Sequence, residues 1–320
     1  MSVVDTAWLR MDTADNLMVI NGVLEFETPM SHADLVRLLS ERLAVRAPRF
    51  ATRPVSEQGQ YFWEKVPSLD MSYHAAPLEL PAGDDLDAQL QAACGQVVAE
   101  TLDASHPLWR FYLIESFRGG SAVVFKVHHS YADGIALISV LDAIADVSVL
   151  HSSPAARAGM KARVRKSDAL LHRIEHALMQ GLFYTAFSAA WLFEALRVAL
   201  LPADTKTAFK QSLSSQKRVA WAPSLPIDEV KRVGRAMGGT VNDVVMACAA
   251  GSLRRYLSDE GHRVDGVVVR ATVPVNLRPL EEAMNLGNRF GLVYLPLPVA
   301  HSTAQGRVDA VQKSMKSLKN

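Results

Sequence analysis

Cysteine is scarce in this chain. Its 320 residues include two, Cys94 and Cys248, far too separated for a CxxC pair. That argues against a cysteine metal knuckle or a dithiol redox site and fits a reducing cytosol. Both lie in apolar, helix-like stretches and are expected to be packing residues. A basic excess is also missing. The 34 Lys and Arg residues against 33 Asp and Glu leave a formal charge of +1, which argues against a general nucleic-acid binder. The opening Met1-Ser2-Val3-Val4-Asp5 has neither the basic start nor the apolar run of a secretory signal. Leu178 to Phe193 is the stretch most like a membrane span, but its 16 uncharged residues fall short of the roughly 20 that cross a bilayer. No internal repeat is found.

What is present points to a large mixed α/β protein. Hydrophobic residues make up 49% of the chain, enough for a substantial core, and the length suits one large domain or two moderate ones. Leu17 to Phe26 is strand-like, with Asn21-Gly22 expected to bulge or turn it. Ser31 to Leu43 predicts a helix, with Ser31 as N-cap, Asp34 three residues later and leucines at 35, 38, 39 and 43. Leu86 to Leu102 predicts a second amphipathic helix. Leu108 to Ser116 and Ala122 to His129 predict a hairpin with its turn at Gly119-Gly120, followed by a helix over Ile135 to Val147. Residues 151–217 differ in character. Arg157 to Arg173 holds six Lys/Arg and one acidic residue, the apolar run follows, and then a polar stretch. This segment is expected to cross between an N-terminal lobe, 1–150, and the start of a second lobe, 218–320. In that last part Pro226 opens a helix that Gly238-Gly239 ends. Thr240 and Asp243 have capping-box spacing for the next helix, to about Leu257. Val267 to Val275 and Leu292 to Val299 read as strands around a turn at Gly287 to Gly291, and Arg307 to Lys319 as a helix.

The chemistry concentrates at His128-His129-Ser130-Tyr131-Ala132-Asp133-Gly134. On a strand, alternate side chains face opposite ways. Val123, Phe125, Val127 and His129 therefore share one face, and Val124, Lys126 and His128 share the other. His129 keeps apolar company, and desolvation would hold its imidazole neutral and ready to accept a proton. Asp133 is placed to cap the following helix or to pair with a buried arginine, and Gly134 would permit a close backbone approach. Spacing alone leaves structural, catalytic and metal-binding roles open for His128, His129 and Asp133, although adjacent strand histidines point apart, which makes shared ligation awkward.

His128 to Gly134 matches HHxxxDG, the signature of acyltransferases of the chloramphenicol-acetyltransferase-like fold. Asp5 to Asp12, Pro107-Leu108-Trp109, Thr240-Val241-Asn242-Asp243-Val244-Val245, Pro274-Val275-Asn276-Leu277-Arg278 and Gly287-Asn288-Arg289-Phe290-Gly291 follow in the order of the bacterial wax ester synthase/diacylglycerol acyltransferases, which the whole chain resembles. The resemblance implies an α/β protein with mixed sheets in a two-lobed, CoA-dependent acyltransferase-like fold. It implies transfer of a long-chain acyl group from acyl-CoA to diacylglycerol or a fatty alcohol, with acyl-CoA as co-substrate and no permanently bound cofactor or metal. His129 would be the general base, with His128 and Asp133 holding its loop. Asn242 would position substrate or stabilise the oxyanion. Gly134 is expected beside the substrate. Pro107, Leu108 and Trp109 are read with equal weight as a wall of the acyl site and as a rigid turn with a core tryptophan. Family members continue past the last helix here, into a part carrying an SxxNVxGP segment that these 320 residues lack, so the second lobe is expected to be incomplete. The alternative is a non-catalytic lipid-binding or partner protein of the same fold. Substrates of this class would place the protein in the cytoplasm, peripheral on the inner membrane face or on lipid inclusions. Leu178 to Phe193 is then either an interfacial helix assisted by the basic stretch or a buried crossover.

Overall fold

The computed structural model describes residues 1–145, 200, 202–276, 286–288 and 290–317. The chain forms two compact units made of interleaved segments. One comprises Met1–Ser153, Gln211–Val230 and Thr272–Tyr294; the other comprises Pro154–Lys210, Lys231–Ala271 and Leu295–Asn320. The expected divisions at 150 and 217 follow chain order, whereas these follow contacts.

In chain order the first unit carries α1 (Val3–Met11), β1 (Val19–Phe26), α2 (His32–Leu38), the hairpin β2 (Thr52–Glu57) and β3 (Gln60–Lys65), and the short α3 (Met71–His74). It continues with β4 (Ala75–Pro77), α4 (Leu86–Ala99), β5 (Trp109–Phe117), β6 (Gly120–His128) and α5 (Gly134–Ala145). Its main sheet has the order β1-β6-β5-β4. The β1/β6 and β5/β6 pairs are antiparallel, and β4/β5 is parallel. Strand β6 is central, and all nine of its residues are buried. Val123, Phe125 and Val127 enter one core with Leu35, Leu39, Leu43, Phe111 and Leu137. Ala122 and Val124 enter another with Leu90, Cys94 and Tyr112. The alternation expected from sequence is thus realised in two separate cores, one on each face.

Local chemistry explains most element ends. Ser31 and Asp34 form a reciprocal capping box at α2, which satisfies backbone donors left open at a helix start. The helix expected to run to Leu43 changes at Leu39–Leu43 into a π-helical turn and then a last α-turn, Ala44–Arg46. Leu35, Leu39 and Leu43 all stay buried through this change. Two other expectations are corrected. Asn21-Gly22 neither bulges nor turns β1; the register runs unbroken, with Asn21 opposite Lys126 and Gly22 opposite Phe125. Gly22 is there to leave room, because a Cβ would lie 2.2 Å from Phe125 Cζ. The hairpin turn is Arg118-Gly119, both at positive φ, as a two-residue turn joining twisted strands requires. Gly120 already belongs to β6, where a Cβ would sit 1.9 Å from the Phe26 carbonyl oxygen.

Lys126 is the unusual residue of β6. It is fully buried, and its Nζ donates to the carbonyls of Val97 at 2.6 Å, Val98 at 3.3 Å and Glu100. A cation at a helix C-terminus answers both the unpaired carbonyls and the helix dipole. Burial pulls its ammonium down to about 8. The strand that ends in the two histidines is thereby tied to the end of α4.

Later elements are α6 (Ile227–Ala236), α7 (Val241–Asp259), the paired strands β7 (Val269–Asn276) and β8 (Phe290–Leu297), and α8 (Ala304–Ser317). Past α6, Gly238 takes φ +68° and Gly239 N–H closes back on Gly234 O at 2.7 Å. Thr240 and Asp243 form the expected capping box of α7. Ala250, Leu257, Val267, Leu297 and Val299 form a core in the second unit. Cys94 is buried as expected, and its thiol is pushed up to about 11 by that burial. Cys248 is exposed, because it lies on the outer face of α7 while Ala247 and Ala250 point inward. Its expected packing role is therefore corrected. Leu178 to Phe193 and Arg157 to Arg173 lie outside the described residues. Among the described residues no helix is long and apolar enough to cross a membrane.

Candidate active site

Strand β6 ends at His128, opposite Val19 of β1. The next amide, His129 N–H, donates to Met18 O at 2.8 Å, so His129 is held at the strand end by a backbone bond. The two imidazoles part as the strand period demands. His128 is 2% exposed. Its Nδ1 accepts from the Ser130 N–H at 3.1 Å and lies 2.8 Å from Ser130 Oγ. The hydrogen of the neutral ring must then sit on Nε2. Among the described residues that buried Nε2 has no hydrogen-bond partner; it lies 3.9 Å from Asp12 Oδ2. Burial pulls His128 down to about 4, against the opposing pull of Asp12. This histidine is neutral and enclosed, bound to Ser130 two residues on.

His129 is only partly buried. Trp8 of α1 stacks on its ring, with centroids 4.1 Å apart and planes 15° from parallel, and Phe290 lies 6.2 Å away. Its Nδ1 is 3.3 Å from Asn288 Oδ1. Asn288 Nδ2 donates to His129 O at 2.7 Å and to Asp5 Oδ1 at 2.8 Å. Asp5 is 1% exposed and pairs with Arg49 Nη1 at 3.4 Å. Burial lowers the His129 pKa below its usual value, and the Asn288 hydrogen bond works in the opposite direction. A neutral imidazole with one edge supported, one face covered and some exposure remaining suits a proton acceptor.

The loop that follows is held from several sides. Tyr131 is fully buried. Its hydroxyl donates to Thr52 O at 2.6 Å and accepts from Leu108 N–H at 3.0 Å. Ala132 bridges Gly287 in parallel fashion, and Asp133 N–H donates to Gly287 O at 3.4 Å. Asp133 Oδ1 accepts from Ala136 N–H at 2.9 Å, which makes it the cap of α5, where a negative charge also suits the helix dipole. Gly134 is exposed, and among the described residues a Cβ there would meet nothing within 4 Å. Tyr131→Phe leaves the Thr52 carbonyl and the Leu108 amide without their buried partner. It is expected to cost about 1–3 kcal/mol, read as a lower denaturant midpoint at unchanged slope; no change would remove Tyr131 as the anchor of the loop.

Pro107, Leu108 and Trp109 are all buried. Leu108 O accepts from His128 N–H at 2.9 Å. Trp109 Nε1 donates to Phe50 O at 2.8 Å, and its ring stacks on His74 at 3.9 Å and touches Phe50 and Phe111. Leu108 and Trp109 belong to the core that also holds Phe50, Phe111 and Val127. Asn242 is exposed in the first turn of α7 and belongs to the second unit. Among the described residues no cluster of three or more His, Cys, Asp or Glu has the arrangement of a metal site. Reading by segments missed Asn288, Trp8, Asp5 and Arg49 as neighbours of His129. Residues 287–291 were expected to be a turn; Gly287 and Asn288 instead run against the histidine loop. The signal available was a polar Asn between glycines and an acidic residue with a tryptophan three residues on, neither of them specific.

Comparison with known proteins identifies the family. Residues 1–245 match the wax ester synthase/diacylglycerol acyltransferase catalytic domain. A Mycobacterium tuberculosis protein named for diacylglycerol O-acyltransferase activity is 30% identical over 297 residues, covering 85% of this chain and 58% of its own length. A second relative from the same species, named likewise, is 29% identical over 337 residues, covering all of this chain and 74% of its own. The chain thus spans a little over half of the first relative. Among solved structures, the wax ester synthase/diacylglycerol acyltransferase from Marinobacter aquaeolei VT8 superposes with a TM-score of 0.63 at 22% identity, covering 100% of this chain and 72% of that one. The first condensation domain of the calcium-dependent antibiotic synthetase gives 0.61 at 19% identity, with 100% and 74% covered. These likenesses show the two-lobed acyltransferase fold. On the match over residues 1–245, the chain belongs to the wax ester synthase/diacylglycerol acyltransferase family.

Proposed function

We propose that this protein is an O-acyltransferase that moves a long-chain acyl group from acyl-CoA to the hydroxyl of diacylglycerol or a fatty alcohol. The observation that carries the reading is His129: partly buried, kept neutral by burial, stacked on Trp8 and hydrogen-bonded through Nδ1 to Asn288. His129 Nε2 takes the proton of the acceptor hydroxyl as its oxygen attacks the thioester carbonyl. The tetrahedral adduct collapses with rupture of the C–S bond. The departing CoA thiolate takes the proton back from the imidazolium, so the ester and CoA leave and the ring returns to its neutral form. General-base assistance of this kind contributes about 10²–10⁴-fold, and alignment of the two substrates contributes more. No acyl-enzyme or bound cofactor is required.

In this reading His128 and Asp133 hold the loop, and Pro107, Leu108 and Trp109 hold the strand behind it. Gly134 leaves clear space for substrate at the start of α5, and Asn242 positions substrate or the developing oxyanion. The acceptors of this class reside in membranes and lipid inclusions, and the protein works in the cytoplasm, at the inner membrane face or on those inclusions. The test is an assay of purified protein with a long-chain acyl-CoA and either hexadecanol or diacylglycerol, following ester formation and free thiol together. Stoichiometric release of both supports the proposal. Thiol release without ester would make the protein a thioesterase instead. No turnover in this chain, and none in a version extended to the length of its relatives, would leave a lipid-binding role.

A further inference from the structure

We propose that Asn288 is a positioning residue for His129, with its amide locked by Asp5 and Arg49 so that the imidazole always presents Nε2 as its basic nitrogen. The inference rests on His129 being the base, and it follows from which groups can only accept. Asn288 Nδ2 faces a carboxylate oxygen of Asp5 at 2.8 Å and the backbone carbonyl of His129 at 2.7 Å. Neither can donate, so the amide end between them must be the NH₂ group, with one hydrogen for each. The other end, 3.3 Å from His129 Nδ1, is then the carbonyl oxygen. An amide oxygen cannot donate either, so Nδ1 must carry the hydrogen. The lone pair is left on Nε2.

The arrangement separates orientation from charge. A carboxylate placed directly against Nδ1 would stabilise the imidazolium and raise the pKa of the ring. Here the carboxylate stands one residue back. Asp5 is 1% exposed and is paired with Arg49 at 3.4 Å. Its charge fixes an amide rotation and reaches the ring through a neutral group. When His129 takes a proton, the Nδ1–H···O bond becomes charge-assisted and strengthens, so the support grows as the reaction needs it. The neighbouring His128 shows the contrast. Its Nδ1 accepts from the Ser130 N–H, which puts its hydrogen on Nε2, the opposite tautomer one residue away. Helix α1 serves His129 twice, because Asp5 sets the amide at the ring's edge while Trp8, one turn later, covers the ring's face.

The test uses the full chain labelled with ¹⁵N-histidine, whose two ring-nitrogen shifts report the tautomer directly. The His129 signals are assigned by their loss in His129→Ala. The unmodified protein is expected to hold His129 in a single Nδ1–H form. Asn288→Ala is expected to give averaged shifts of a mixed population, and kcat is expected to fall roughly 10- to 100-fold at little-changed KM for acyl-CoA. That loss is smaller than the ~10⁴-fold that a wrong tautomer costs a Ser-His-Asp enzyme. Asp5→Asn keeps the shape and lets residue 5 donate as well as accept, so it is expected to mix the two tautomers too. His129 remaining wholly Nδ1–H in both folded variants would overturn the proposal; if Asn288→Ala does not fold, Asp5→Asn decides alone. Undiminished turnover in His129→Ala would sink the acyltransferase mechanism but would leave the tautomer result to judge Asn288 by itself.

Discussion

His129→Ala is expected to lower acyl transfer from a long-chain acyl-CoA to hexadecanol or diacylglycerol by about 10²–10⁴-fold, with the melting temperature nearly unchanged. The effect is large because the other imidazole of the motif cannot take over: His128 is 2% exposed and enclosed. The fold should tolerate the change because His129 is partly exposed and its backbone N–H bond to Met18 O at 2.8 Å survives it. The pH profile offers a second reading of the same residue. Burial lowers the His129 pKa below its usual value, so the neutral ring persists into mild acid. Activity is expected to fall only as pH drops through that lowered value, which places the acid limb below the usual histidine range near 6.5. Wild-type turnover in the alanine variant, or an acid limb well above 6.5, would remove His129 as the base.

The second large effect concerns stability in acid. His74 and His128 are both buried and both held down to about 4 from an ordinary 6.5, by burial in each case. His74 Nδ1 bonds Trp109 O at 2.9 Å, its ring stacks on Trp109, and among the described residues its Nε2 has no hydrogen-bond partner. Between about pH 6.5 and pH 4 the unfolded chain binds protons at these two sites and the folded one does not, so stability rises with pH across that window. The contribution is complete above 6.5, is lost progressively as pH falls toward 4, and changes no further below it. For His74 this amounts to about 3 kcal/mol across the window, a large share of the ~5–15 kcal/mol that holds a typical domain folded, and His128 acts in the same direction. Denaturant titrations at pH 7 and pH 4.5 should show the loss, and the difference between wild type and His74→Gln should be smaller at pH 4.5 than at pH 7. An equal difference at both values would mean that His74 does not titrate on unfolding.

Much of the fold is legible in the sequence. Capping boxes at Ser31/Asp34 and Thr240/Asp243, the β5–β6 hairpin and the helix stop at Gly238-Gly239 all lie where short-range chemistry predicts. The departures are local as well. The π-helical turn at Leu39–Leu43 and the hairpin turn at Arg118-Gly119 each differ from expectation by a residue or a turn. At the hairpin the reason is packing: Gly120 is taken into β6, where a Cβ would sit 1.9 Å from the Phe26 carbonyl oxygen.

The histidine motif shows the boundary between the two kinds of information. Sequence alone determined that His128 and His129 face opposite ways, since a strand repeats every two residues whatever surrounds it. It also determined that the side of Val123, Phe125 and Val127 is apolar. Tertiary structure alone decided what each ring meets. Asp5, Arg49 and Asn288 gather at His129 across separations of up to 283 residues, and no periodicity encodes such a meeting. The same holds for Gly22, whose missing side chain is explained by the Phe125 ring on the facing strand, and for Trp109, whose polar atom is satisfied by Phe50 O. Hydrogen-bond direction, burial and clearance are properties of neighbours in space. Only the folded chain supplies those neighbours.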